Sequence, residues 1–152
     1  MAHERLIRIP APVVPGIADS VIDTATGLLY VSGVYVPVPD DLERSIDLTF
    51  RALEDALQRG GASFSSLVRV NVYVKHLDEE KLQAYRRVRD SIIDTTNLPA
   101  STVVGVHSLY NDASIEIDAV AAVVTSTKYV RRRHRRLLLT NRDFWRDATQ
   151  GE

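Results

Sequence analysis

Leu67-Val68-Arg69-Val70-Asn71-Val72-Tyr73-Val74-Lys75-His76-Leu77 alternates apolar and polar side chains with a period of two. Successive side chains of an extended chain leave opposite faces, so Val68, Val70, Val72 and Val74 share one face and Arg69, Asn71, Tyr73 and Lys75 the other. The pattern predicts a strand with one face in a core. On either side the period changes. Leu42, Ile46, Thr49, Phe50, Leu53, Ala56 and Leu57 recur at helical spacing, which predicts a helix over Leu42 to Gly60. Pro37, Pro39 and Asp40-Asp41 precede it as breaks and a cap, and Gly60-Gly61 stops it. Beyond the strand, Leu82, Tyr85, Val88 or Arg89, and Ile92 mark the inner face of a second helix from about Asp78 to Thr95, which Asn97-Leu98-Pro99 breaks.

Further out the chain reads as strand again. Pro10 and Pro12, with Val13, Val14 and Pro15, predict an extended lead-in. Ser20 to Asp23 and Gly27 to Val34 predict a hairpin turning at Ala25-Thr26-Gly27. Ser101 to Leu109 and Ser114 to Ser126 predict two strands separated by a turn at Tyr110-Asn111-Asp112. The order β-β-α-β-α-β-β predicts an α+β fold: a mixed sheet with two helices packed on one face.

Composition narrows the function classes. The chain has 152 residues, the size of one domain, with 45% hydrophobic and 26% charged residues, an ordinary globular balance. It has no cysteine, which excludes a disulfide scaffold, a thiolate metal site and a cysteine nucleophile. Met1-Ala2-His3-Glu4-Arg5 has no apolar signal core, and no apolar run reaches the ~20 residues of a membrane helix, so a cytoplasmic protein without a membrane partner is expected. The net charge of −1 is unevenly spread. Residues 1–127 carry 11 Lys/Arg against 17 Asp/Glu, whereas residues 128–152 carry 8 against 3. An acidic body speaks against nucleic acid as the main partner. The division expected is a body over 1–127 and a basic C-terminal extension over 128–152. The extension holds Arg131 to Arg136 and a short helix from Asn141 to Ala148 with Phe144 and Trp145. Two readings of it stay open, a basic tail solvated or docked on the acidic body of a neighbour, or an RNA-binding tail.

Five pieces, in order and spacing, resemble the Rid family, also called YjgF or endoribonuclease L-PSP-like. They are Leu29-Tyr30-Val31-Ser32-Gly33, Gly60-Gly61-Ala62-Ser63, the strand from Val68 to Leu77, Leu98-Pro99-Ala100-Ser101-Thr102, and Ile115-Glu116-Ile117-Asp118-Ala119-Val120-Ala121. The likeness runs from about Pro12 to Val124. It implies a chorismate-mutase-like fold and a homotrimeric barrel with a small-molecule cleft at each subunit interface. The best-known members hydrolyse reactive imines and enamines such as 2-aminoacrylate to keto acids and ammonia, using an arginine after Pro-Ala to hold the substrate carboxylate by a two-pronged pair. Here Ser101 follows Pro99-Ala100. A tyrosine position of the family falls on Ile17, and an asparagine position on Arg86 or Arg87. Gly33 and Glu116 match the family, Glu116 at the position thought to hold the hydrolytic water. The sequence thus points to a Rid-type small-molecule enzyme with an altered substrate. A ligand- or partner-binding trimer without chemistry and an RNA-binding or endoribonuclease-type protein are the alternatives.

The candidate site residues follow. Glu116 is the catalytic candidate; Gly33, Ser101, Thr102, Arg86, Ile17 and His107 are the substrate-binding candidates. Asp118 shares a face with Glu116, either as a second acid–base group or as part of a solvated strand face. His107 shares a face with Ser101, Val103 and Gly105, as a base or as a satisfied structural histidine. His3, His76 and His134 have no ligand spacing with it, so no metal and no cofactor are expected. No serine sits in a nucleophile-elbow pattern.

Overall fold

The structure, a computed structural model, describes residues 5–123. Six strands form one sheet: β1 Leu6–Pro10, β2 Ala18–Asp23, β3 Leu28–Val34, β4 Leu67–Lys75, β5 Ala100–Val106 and β6 Ile115–Ala122. Two helices, α1 Leu42–Arg59 and α2 Glu79–Ile92, complete the fold. The strand order is β1-β2-β3-β6-β4-β5. Neighbours run antiparallel except β4 and β5, whose parallel pairing needs the crossover that α2 supplies. The expected mixed sheet with two helices is present. β1 is an additional strand, because Leu6 to Pro10 pairs with β2 ahead of the proline-rich segment, which bends instead of extending.

Both helices start on aspartate caps. Asp41 accepts a hydrogen bond from the Arg44 amide at 3.0 Å, and Asp78 from the Lys81 amide at 2.8 Å. α1 ends at the glycine pair, where Gly61 adopts a φ of +82°. α2 stops at Ile92, short of Thr95, because Asp94 draws the Thr96 amide into a local turn at 2.9 Å.

The core lies between the helices and one sheet face. Val70, Val72 and Val74 of β4 and Ile115, Ile117, Ala119 and Ala121 of β6 are all buried, with Ile22, Leu29 and Val31 beside them. From the helices, Ile46, Phe50, Leu53, Leu57 and Tyr85 cover this surface. Phe50 and Tyr85 stack at 6.1 Å and join the two helices.

Val68 departs from the expected phase. The register of β4 on β6 slips between Leu67 and Arg69, so two steps on β4 span one on β6. Leu67 thereby packs against the core while Val68 is 46% exposed. β5 ends at Val106, short of Leu109, because its partner β4 ends at Lys75 and the chain reverses at His76, which has a φ of +49°. No helix among the described residues is long and apolar enough to cross a membrane. The basic extension 128–152, its short helix, and the predicted end of the last strand at Ser126 lie outside the described residues.

The bulge makes a measurable distinction. Val72→Thr puts an unpaired hydroxyl in the core and is expected to cost about 1–3 kcal/mol in urea unfolding. Val68→Thr is expected to stay within about 0.5 kcal/mol. Equal costs would place Val68 in the core and remove the bulge.

Candidate functional site

The alternation of β6 sends Glu116 and Asp118 to the face that carries no helix. There β4 sets Tyr73 opposite Glu116 and Asn71 opposite Asp118. Asp118 is fully engaged: Asn71 Nδ2 donates to one oxygen at 2.8 Å and the Tyr73 hydroxyl to the other at 3.0 Å. Arg69 extends the network, donating from Nε to Asn71 Oδ1 at 3.1 Å and from a terminal nitrogen to Thr102 Oγ1 at 2.8 Å. The Asp118 charge raises the Tyr73 hydroxyl above its usual pKa by that same hydrogen bond.

Glu116 stands differently. It is half-buried, and burial first, then the charge of Asp118, raises its pKa above the ordinary carboxylate value. Its position depends on β3. The register of β3 on β6 slips between Val31 and Val34, and Gly33 lies in that irregular stretch. A Cβ at residue 33 would fall inside the Glu116 carboxyl group, so only glycine lets the carboxyl lie against the β3 backbone.

Gly33 also lines a cavity of about 270 Å³ between the 11–18 segment, the end of β3 and α1. Ile17, Val13 and Val14 form one wall, Val34 and Tyr35 another, with Asn111 at the edge. The Ser32 hydroxyl donates to the Ala18 carbonyl at 2.7 Å and holds these walls together. The Tyr35 hydroxyl is raised above its usual pKa by burial, then by Tyr110 and Glu116, so it shares the electrostatic surroundings of Glu116. Its ring meets Tyr110 edge-on at 6.1 Å. Deeper in, Arg59 and Asp19 form a two-pronged ion pair at 2.8 and 2.9 Å.

Within one chain Gly33 therefore meets Glu116 and lines the same cavity as Ile17. Ser101 and Thr102 stand on β5, separated from β6 by β4. Thr102 receives Arg69 on the helix-free face. Ser101 neighbours the Tyr85 hydroxyl, which is buried without a hydrogen bond and raised in pKa by burial, an effect that Arg89 and Ser101 oppose. Arg86 is exposed on α2, and Arg87 pairs with Glu43 at 2.6 Å. His107 lies beyond the end of β5, exposed, with its ring edge-on to His76 at 5.2 Å. Among the described residues no group of three histidine, aspartate or glutamate side chains is placed to hold a metal ion. Sequence reading missed Tyr35, Asn111 and the Asp19–Arg59 pair. The last joins residues 40 positions apart, which no local pattern marks.

The profile of the endoribonuclease L-PSP family matches residues 18–123. The chain belongs to this family, known also as Rid or YjgF. Solved structures of Rid and YjgF members share its fold. A conserved Rid-family protein of unknown function from Yersinia pestis is 18% identical, with a TM-score of 0.70 over 78% of this chain and 99% of that one. A YjgF-family member from Neisseria meningitidis is 15% identical, with a TM-score of 0.68 over 80% and 97%. A member from Mycobacterium tuberculosis is 23% identical, with a TM-score of 0.65 over 78% and 99%. No curated protein matches the chain.

The contact between Gly33 and Glu116 is open to a direct check by carboxyl-carbon NMR titration. Glu116 is expected to titrate above a free glutamate, and Asp118→Asn to lower it by removing a like charge. Gly33→Ala is expected to drive the carboxyl outward and return it towards the free value. An unchanged Glu116 titration in Gly33→Ala would mean that the carboxyl does not rest on β3.

Proposed function

We propose that the chain is a Rid-type enzyme of the cytoplasm that acts on an imine, enamine or related unsaturated intermediate by hydrolysis or proton transfer. The observation that carries this reading is Glu116, a half-buried carboxyl of raised pKa lying on Gly33, a residue that also lines a largely apolar cavity. A carboxyl whose pKa is raised towards the working pH is suited to take up a proton and give it back. In the proposed hydrolysis Glu116 accepts a proton from water as the water oxygen bonds to the imine carbon. Glu116 returns that proton to nitrogen, which gives a carbinolamine, and then relays the carbinolamine hydroxyl proton to nitrogen as the carbon–nitrogen bond breaks, leaving a carbonyl compound and ammonia. An enamine enters this route after protonation at carbon. Backbone groups near Gly33 contact the ligand.

The proposed assembly is a homotrimer with the ligand in clefts between subunits, one interface repeated around the axis. In support, Tyr30, Val68 and Val104 are exposed apolar side chains. In such an assembly Ser101, Thr102, Arg86 and His107 would shape the cleft from elements that lie away from Glu116 in one chain. RNA is the less favoured ligand, because residues 1–127 are acidic.

Ammonia release from imines generated in place by an amino-acid oxidase is the test, with 2-aminoacrylate and uncharged imines as parallel substrates. The protein is expected to exceed the buffer rate on at least one of them, and Glu116→Gln to lose roughly 100-fold or more. As Glu116 must be ionised to act as a base, the rate is expected to fall on acidification with a midpoint above that of a free carboxylate. Buffer rates for both proteins on every substrate would defeat the reading.

A further inference from the structure

The cavity beside Gly33 contains one cation among its described lining residues, and the fold has already neutralised it. Arg59, in the last turn of α1, donates from Nε to Asp19 Oδ2 at 2.9 Å and from a terminal nitrogen to Asp19 Oδ1 at 2.8 Å. The side chains are only 15% and 8% exposed. Two parallel hydrogen bonds from one guanidinium are the geometry by which an arginine would hold a substrate carboxylate. Here Asp19 occupies them. Pulling Arg59 away would leave the Asp19 charge buried and unpaired, which is costly, so a ligand cannot easily displace it. The rest of the wall is mainly aliphatic, with Pro12, Val13, Val14, Ile17 and Val34. A carboxylate entering this space loses its hydration and finds no free charged partner among the cavity residues that this chain contributes. An uncharged ligand does not meet this penalty.

We infer that this cavity selects uncharged ligands with an apolar body, namely neutral imines, enamines or carbonyl compounds, over their carboxylate-bearing counterparts. The reacting end of the ligand rests on the Rid-type reading of Glu116; the selectivity rests on the cavity wall alone. At ~30 Å³ for a water-sized unit, the cavity holds a ligand of roughly ten non-hydrogen atoms. Tyr35 and Asn111 at the wall are the groups available to hydrogen-bond a single polar end.

The experiment pairs 3-methyl-2-butanone with 3-methyl-2-oxobutanoate, which differ by a methyl exchanged for a carboxylate. Both are titrated into the full chain and followed by amide NMR. The ketone is expected to shift the amides of Val14, Ile17, Gly33 and Val34 and to bind at least tenfold more tightly than the oxo acid. Asp19→Asn, which releases Arg59, is expected to reverse that preference. Ile17→Arg places a cation on the wall at a position 53% exposed, where folding tolerates it, and is expected to do the same. It decides the matter on its own if Asp19→Asn does not fold. An oxo acid that binds wild type as tightly as the ketone, or a ketone that leaves these amides unmoved, overturns the selectivity. The corresponding imines then separate the two claims. Preference for the ketone with neither imine hydrolysed above the buffer rate sinks the Rid-type reading and keeps the selectivity. Faster hydrolysis of the carboxylate imine does the opposite.

Discussion

Burial of Ile115, Ile117, Ala119 and Ala121 beneath the helices is the constraint from which the rest of the site follows. β6 runs between β3 and β4 in the middle of the sheet, so its helix-side residues must be apolar and its alternate residues must emerge on the other face. Glu116 and Asp118 are carried to that face by parity alone. A slip of one residue would bury both carboxylates and expose four apolar side chains. The core thereby specifies the register that positions the carboxylates, and stability and site geometry share one origin.

The two carboxylates then diverge because their neighbours differ. β4 offers Asp118 an amide and a phenol, and these hydrogen bonds tie it into a polar ladder that reaches Thr102. β3 offers Glu116 the bare backbone of Gly33 and no side chain. One group is held as part of the sheet surface. The other is half-buried against Gly33, with its pKa raised by burial. Two carboxyls on one strand face thus have different environments, and the proposed acid–base role is given to Glu116 for that reason.

Much of this was legible in the sequence. The valine alternation of β4 and the helical spacing of α1 are signals of local period, and both elements appear where the period ends. Gly33 and Glu116 were marked by their place in family-like segments, and the structure sets them against each other. The failures come from interactions without a local signature. The bulge at Leu67–Arg69 reverses the facing of Val68 through its pairing with β6, a strand some fifty residues away. β1 forms because an edge was open to Leu6 to Pro10, although its pattern alone is short and interrupted by Arg8. The Asp19–Arg59 pair joins β2 to the end of α1, and each residue alone reads as an ordinary surface charge. Ser101, Arg86 and His107 followed from position in a family pattern, and in a single chain they stand apart from Glu116.

The most direct measurement is a crystal structure of the protein soaked with an uncharged ketone. Glu116 on Gly33 predicts the carbonyl oxygen or its hydrate within hydrogen-bonding distance of the Glu116 carboxyl, with the apolar body along Ile17 and Val34 and the Asp19–Arg59 pair intact. A ligand bound elsewhere, with the Glu116 carboxyl turned away from Gly33 into solvent, would contradict the account.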